Sequence, residues 1–119
     1  MKPSRGASMR DQFKITFQRR GNLHIVDVDG DLTAATAEPL EQAYRQAVAE
    51  PGTATVLNLR CDYITSGGFA IIADLALRAH RDDRRLCLVG LNPHQTKVAG
   101  LLGIRSYAEI HPSLDDVTG

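Results

Sequence analysis

The sequence has no surplus of charge of either sign: 14 lysines and arginines stand against 14 aspartates and glutamates in 119 residues. Recognition of nucleic acid or anionic lipid normally shows as a basic excess, so no nucleic-acid partner is expected. Cysteine is scarce, with only Cys61 and Cys87. They lack CxxC spacing and sit in or beside the strand-like runs VLNLRC and RLCLVG, which reads as free, buried thiols. No stretch approaches the roughly 20 apolar residues of a membrane helix, so direct membrane insertion is not expected. The opening MKPSRGASMR has basic residues but no apolar run behind them to make a signal peptide, and the expected location is cytoplasmic. GxGxxG, GxxxxGK[ST] and GxSxG are all missing, which leaves dinucleotide binding, P-loop hydrolysis and serine-hydrolase chemistry without their sequence requirement. His24, His80, His94 and His111 are scattered, without i, i+4 pairing or cysteine partners. No catalytic residue, cofactor or metal is expected.

With 43% hydrophobic and 24% charged residues the chain falls in the ordinary globular class, and its length suits one core. Residues 1–11 lack periodicity and read as a disordered tail, leaving 12–119 as the domain. Phe13, Ile15 and Phe17 alternate as in a strand, and Gly21-Asn22 before LHIVDV argues for an antiparallel hairpin. Leu40, Ala43, Tyr44, Ala47 and Val48 then form a helical stripe, with Thr33 or Thr36 as cap and Pro51-Gly52 as stop. TATVLNL reads as a strand. The segment from Ser66 to about Asp82 reads as a central helix, with Ile72, Leu75, Ala76 and Ala79 at helical spacing. RLCLVG has the continuous apolar character of an interior strand. Asn92-Pro93 opens a third helix whose buried face is assigned to Val98, Leu101 and Leu102, with Gly103 as its end. A strand at Tyr107–Ile110 and a short helix after a Ser113/Asp116 capping box close the chain. The order β-β-α-β-α-β-α-β-α implies a single-domain α/β fold: a mixed sheet with an antiparallel N-terminal hairpin at its edge and parallel strands flanked by helices.

Two clusters look like sites and are better read otherwise. Asp27, Asp29, Asp31 and Glu38 match the offsets of a calcium loop, but Leu32 stands where glycine is needed and a strand precedes the acids, so they read as a solvated strand end. Arg78, Arg81, Arg84 and Arg85 are interrupted by Asp82 and Asp83 and read as a solvated surface. The junction Tyr63-Ile64-Thr65-Ser66-Gly67-Gly68-Phe69 remains, where small residues open a hydrophobic helix. Two readings are open there. Ser66 or Thr65 satisfies one helix N–H and the glycines leave the others uncovered for a partner, or Ser66 is merely an N-cap and the glycines let the chain pack closely.

At this junction the sequence resembles the STAS domain, the fold of anti-sigma factor antagonists, of cytoplasmic tails of sulfate-type anion transporters, and of a subunit of bacterial phospholipid-transport complexes. Gly30-Asp31-Leu32, VLNL with YITSGG, RLCLVGLNPH, VAGLLGI and YAEIHPSLDDV carry the resemblance, from about Phe13 onward. It implies a non-catalytic regulatory module docking a protein partner, either an anti-sigma factor of the serine-kinase type or transporter subunits, and it allows a weak homodimer. In regulated antagonists the loop is similar to Asp-Ser-Ser-Gly, with the second serine phosphorylated. Here Thr65 stands at the aspartate, Ser66 at the first serine and Gly67 at the phosphoacceptor, while Thr33 replaces an aspartate. Ser66 is therefore the candidate displaced phosphoacceptor. The expected partner-binding residues are Asp31, Thr33, Thr36, Thr65, Ser66, Gly67, Gly68 and Phe69.

Overall fold

The alternation of Phe13, Ile15 and Phe17 with polar residues produces β1 (Lys14–Arg20), which turns through Gly21 at φ +57° into β2 (Leu23–Asp29). The positive φ explains the glycine, since a two-residue hairpin turn needs it. The computed structural model describes residues 13–50 and 54–118. After a 3-10 turn at Ala34–Thr36 come α1 (Ala37–Val48), β3 (Ala54–Arg60), α2 (Ser66–Arg81), β4 (Leu86–Val89), α3 (Pro93–Leu101), a 3-10 turn at Ile104–Ser106, β5 (Glu109–His111) and a last 3-10 turn at Leu114–Asp116. The tail assigned to residues 1–11 and the helix stop at Pro51-Gly52 lie outside the described residues.

The five strands lie in sequence order, with β1 antiparallel to β2 and all later neighbours parallel. Period-two alternation gives the sheet two different faces. Val26, Val28, Leu57, Leu59, Leu86 and Leu88 meet Leu40 and Tyr44 of α1, Phe69, Ile72 and Leu75 of α2, and Ala99 of α3 in the main core. Each large side chain buried this way contributes about 1.5–3 kcal/mol, far more than local helix propensity. The opposite face carries Leu23, Ile25, Val56, Cys87 and Val89, and there the last 3-10 turn brings in Leu114 and Val117 as cover.

Several expectations need correction. The terminal helix is a single 3-10 turn, and the last strand starts at Glu109, because Tyr107 and Ala108 are still engaged by Ile104 at the end of the preceding turn. In α3 the buried side is Gln95 and Ala99, whereas Leu101 and Leu102 are 77% and 54% exposed. The helix ends there, and both leucines point away from the sheet side. Asp27 is not part of a solvated strand end: it is 6% exposed and accepts hydrogen bonds from Gln18 Nε2 at 2.7 Å and Asn58 Nδ2 at 2.8 Å. Those partners occupy the neighbouring strands beside it, so the burial is compensated. His24 is also buried, and its Nδ1 has no hydrogen-bond partner among the described residues. Cys61 and Cys87 are free and buried, as read from the sequence.

Candidate functional site

The site forms where β2 and β3 end. Asp29 and Arg60 pair across the strand ends at 3.1 Å. Beyond them the two chains stay together: Leu32 N–H donates to the Tyr63 carbonyl at 2.9 Å, and Thr65 N–H donates to the Leu32 carbonyl at 3.0 Å. Leu32 and Ile64 form an isolated parallel bridge. This extension delivers Thr65, in extended conformation, to the start of α2, where its Oγ1 accepts from Gly68 N–H at 3.2 Å. Such a cap contributes about 1 kcal/mol.

The facing turn is locked from within. Ala35 N–H donates to Thr33 Oγ1 at 3.1 Å, Thr33 N–H donates to Thr36 Oγ1 at 2.9 Å, and the Thr36 hydroxyl donates to the Asp31 carbonyl at 3.1 Å. This turn sits directly on the glycines. A Cβ built on Gly67 would lie 2.8 Å from Ala34 Cβ and 3.0 Å from Ala34 N, and one on Gly68 would lie 2.3 Å from the Leu32 carbonyl oxygen. Close packing is therefore what the glycines provide. The Gly68 N–H is taken by Thr65, which caps the helix in place of Ser66.

The expected site residues come together in space but do not share one surface. Thr65 and Ser66 are exposed, and Asp31, Thr33, Thr36 and Gly67 are half-buried. Gly68 and Phe69 are buried, so they hold the junction together and present nothing to solvent. The outward side of α2 continues the surface with Ala70 and Asp74, both exposed. Tyr63, absent from the expected set, is 70% exposed beside Thr65 and is the largest apolar group at this edge. An aromatic three residues past the end of a strand, in a chain with three tyrosines and no tryptophan, was the signal available for it. The edge is acidic: burial first, and then Asp29, Asp31 and Asp62, push the Cys61 thiol up to about 12. From behind, Gln95 Nε2 donates to the Cys61 carbonyl at 3.0 Å and fastens α3 to the same loop. The result is a braced rim with a small-residue helix face beside it, which suits it to contact another protein.

A family model described as "Mlab, STAS domain" matches residues 15–110. No curated protein matches the chain. Among solved structures, an anti-sigma factor antagonist from Mycobacterium paratuberculosis is 25% identical with a TM-score of 0.75, over 89% of this chain and 91% of that one. The Bacillus cell fate determinant SpoIIAA in its phosphorylated form is 13% identical with a TM-score of 0.63, over 86% of this chain and 95% of that one. The murine anion transporter Slc26a9 is 16% identical with a TM-score of 0.69, over 83% of this chain but 17% of the transporter. The last two likenesses concern the fold alone. The match to the family model spans most of the chain, and this protein belongs to the STAS domain family.

Proposed function

We propose that this protein is a regulatory docking module that engages an anti-sigma-factor-type partner, with no phosphate switch at position 67. The observation that carries this reading is the closure of Gly67 under Ala34, which leaves neither a hydroxyl nor space for one where regulated antagonists carry their phosphoacceptor. The partner would meet Tyr63, Thr65, Ser66, the rim at Thr33–Thr36 and the outward face of α2 at Ala70 and Asp74. The similarity to the mycobacterial antagonist over most of both chains supports it. A phosphate would add about −1.5 to −2 charges to a rim that is already acidic and would repel a docked acidic surface. Without that switch the module binds constitutively, unless Ser66, exposed one residue earlier, takes the phosphate instead.

A second reading has its own support: the family model is described as Mlab and one fold neighbour is an anion transporter, which suit a subunit of a transport system. Photo-crosslinking from position 70 in the native cell, followed by mass spectrometry, separates the two. Capture of a serine-kinase-type anti-sigma factor supports the first, capture of a transport ATPase or permease supports the second, and no crosslink from position 70 overturns docking through this face.

A further inference from the structure

The register of the last two strands gathers three metal-binding side chains that are far apart in sequence. Cys87 stands opposite Glu109 across β4 and β5, and His111, two residues further along β5, faces the same way. One donor atom from each, a thiol sulfur, a carboxylate oxygen and an imidazole nitrogen, lie within 4.8 Å of one another. His111 Nε2 is 2.9 Å from Glu109 Oε1. Arg85 grips the same carboxylate from the other side, Nε at 2.6 Å and Nη2 at 3.0 Å, so Glu109 is ionised and fixed in position. Arg85 already satisfies Glu109, so a simple ion pair does not require the thiol and the imidazole to converge there as well.

We propose that Cys87, Glu109 and His111 form a zinc site on the face of the sheet opposite α1, α2 and α3. The mixture of donors decides the ion. Calcium and magnesium take oxygen ligands, whereas zinc accepts thiolate, imidazole and carboxylate together in a tetrahedron with bonds of about 2.0–2.3 Å. Tetrahedral donors stand about 3.5 Å apart, so donors as far as 4.8 Å apart would close by about 1 Å, while His111 Nε2 and Glu109 Oε1, at 2.9 Å, would open by about 0.5 Å. His111, with its side chain 27% exposed, has the freedom to adjust, while Arg85 holds Glu109 in place. On binding, the thiol gives its proton to solvent, the imidazole binds through Nε2 as its Nδ1–H tautomer, and Arg85 stays on the second carboxylate oxygen. Water fills the fourth position. The role is a brace: β5 is an edge strand with three register pairs to β4, and Val117 and Thr118 rest on the same cluster through the apolar contact and the Arg85 bond to the Thr118 carbonyl. Zinc would tie strand and C-terminal segment to the sheet.

The test uses the reduced, tag-free chain titrated with cobalt(II) and then zinc(II). A near-ultraviolet thiolate-to-cobalt charge-transfer band should appear, be displaced by zinc and be lost in Cys87→Ser. His111→Ala, at a part-exposed side chain with little risk to folding, should weaken zinc binding at least tenfold. Zinc at 100-fold above its Kd should raise the Tm by on the order of 10 °C. Absence of the charge-transfer band, or zinc binding unchanged in both folded variants, overturns the proposal.

Discussion

Restoring a serine at position 67 tests how the junction is built. Gly67→Ser places a Cβ 2.8 Å from Ala34 Cβ, closer than real Cβ contacts come, and 3.0 Å from Ala34 N and 3.2 Å from Ala34 Cα, both tighter than most. Two of these three atoms are backbone, within a turn pinned by the Thr33 and Thr36 hydroxyls, so relief requires the whole turn to shift. Overpacking of this kind costs about 1–3 kcal/mol, offset by about 0.5 kcal/mol from replacing a helical glycine. A net loss of about 1–2 kcal/mol should lower the Tm by roughly 5–10 °C for a chain of this size. Urea unfolding of the variant measures it. The double variant Gly67→Ser, Ala34→Gly removes the Cβ–Cβ clash but not the contact with Ala34 N, so it should recover part of the loss. A Gly67→Ser protein as stable as the parent, or no coupling with Ala34→Gly, would refute the argument that the turn closes this position.

Gly68→Ala should be worse than Gly67→Ser, because its Cβ would fall 2.3 Å from the Leu32 carbonyl oxygen, a backbone atom that cannot step aside; loss of about 3 kcal/mol or more, read by urea midpoint, is expected. Tyr63→Ala, at an exposed side chain, should change stability by no more than about 0.5 kcal/mol while weakening partner binding at least tenfold by calorimetry. Arg85 lowers Glu109 from its ordinary 4.5 to about 2, so the pair stabilises the fold above about 4.5 and that contribution fades as pH falls towards about 2. Exposure and salt screening keep the effect small. Arg85→Ala should therefore flatten the acid limb of stability measured by urea unfolding, and an unchanged limb would contradict the assignment. Cys61, buried and with its thiol pushed up to about 12, should resist alkylation at neutral pH until the protein is unfolded.

The parts of this fold that the sequence revealed are those where one physical pattern dominates. The stripe of α1 and the continuous run of β4 name their buried residues directly, whereas the alternation in β1 found the strand but not a buried face, since Ile15 is only half-buried and Phe17 is 40% exposed on this edge strand. What the sequence hid depends on pairing across the sheet. Asp27 looks like a solvated acid until Gln18 and Asn58 are placed beside it by register, and Cys87, Glu109 and His111 look unrelated until β5 is laid next to β4. Leu101 and Leu102 misled because α3 ends before its apolar period can be used, leaving small Ala99 and Gln95 as the inner face. At the junction, sequence spacing found the segment, but two glycines in a row do not say whether they expose donors or admit a neighbouring turn. That depends on Ala34 and Leu32, more than thirty residues away, whose position is set by the Leu32 and Thr65 backbone bonds.

The most direct measurement of the docking claim is the affinity of the crosslinked partner for two single variants of the intact chain. Ala70→Arg places a long cation on the outward face of α2, whereas Gln46→Arg places the same group on the exposed side of α1. The account predicts at least tenfold weaker binding for the first and unchanged binding for the second. Equal affinities for both would contradict it.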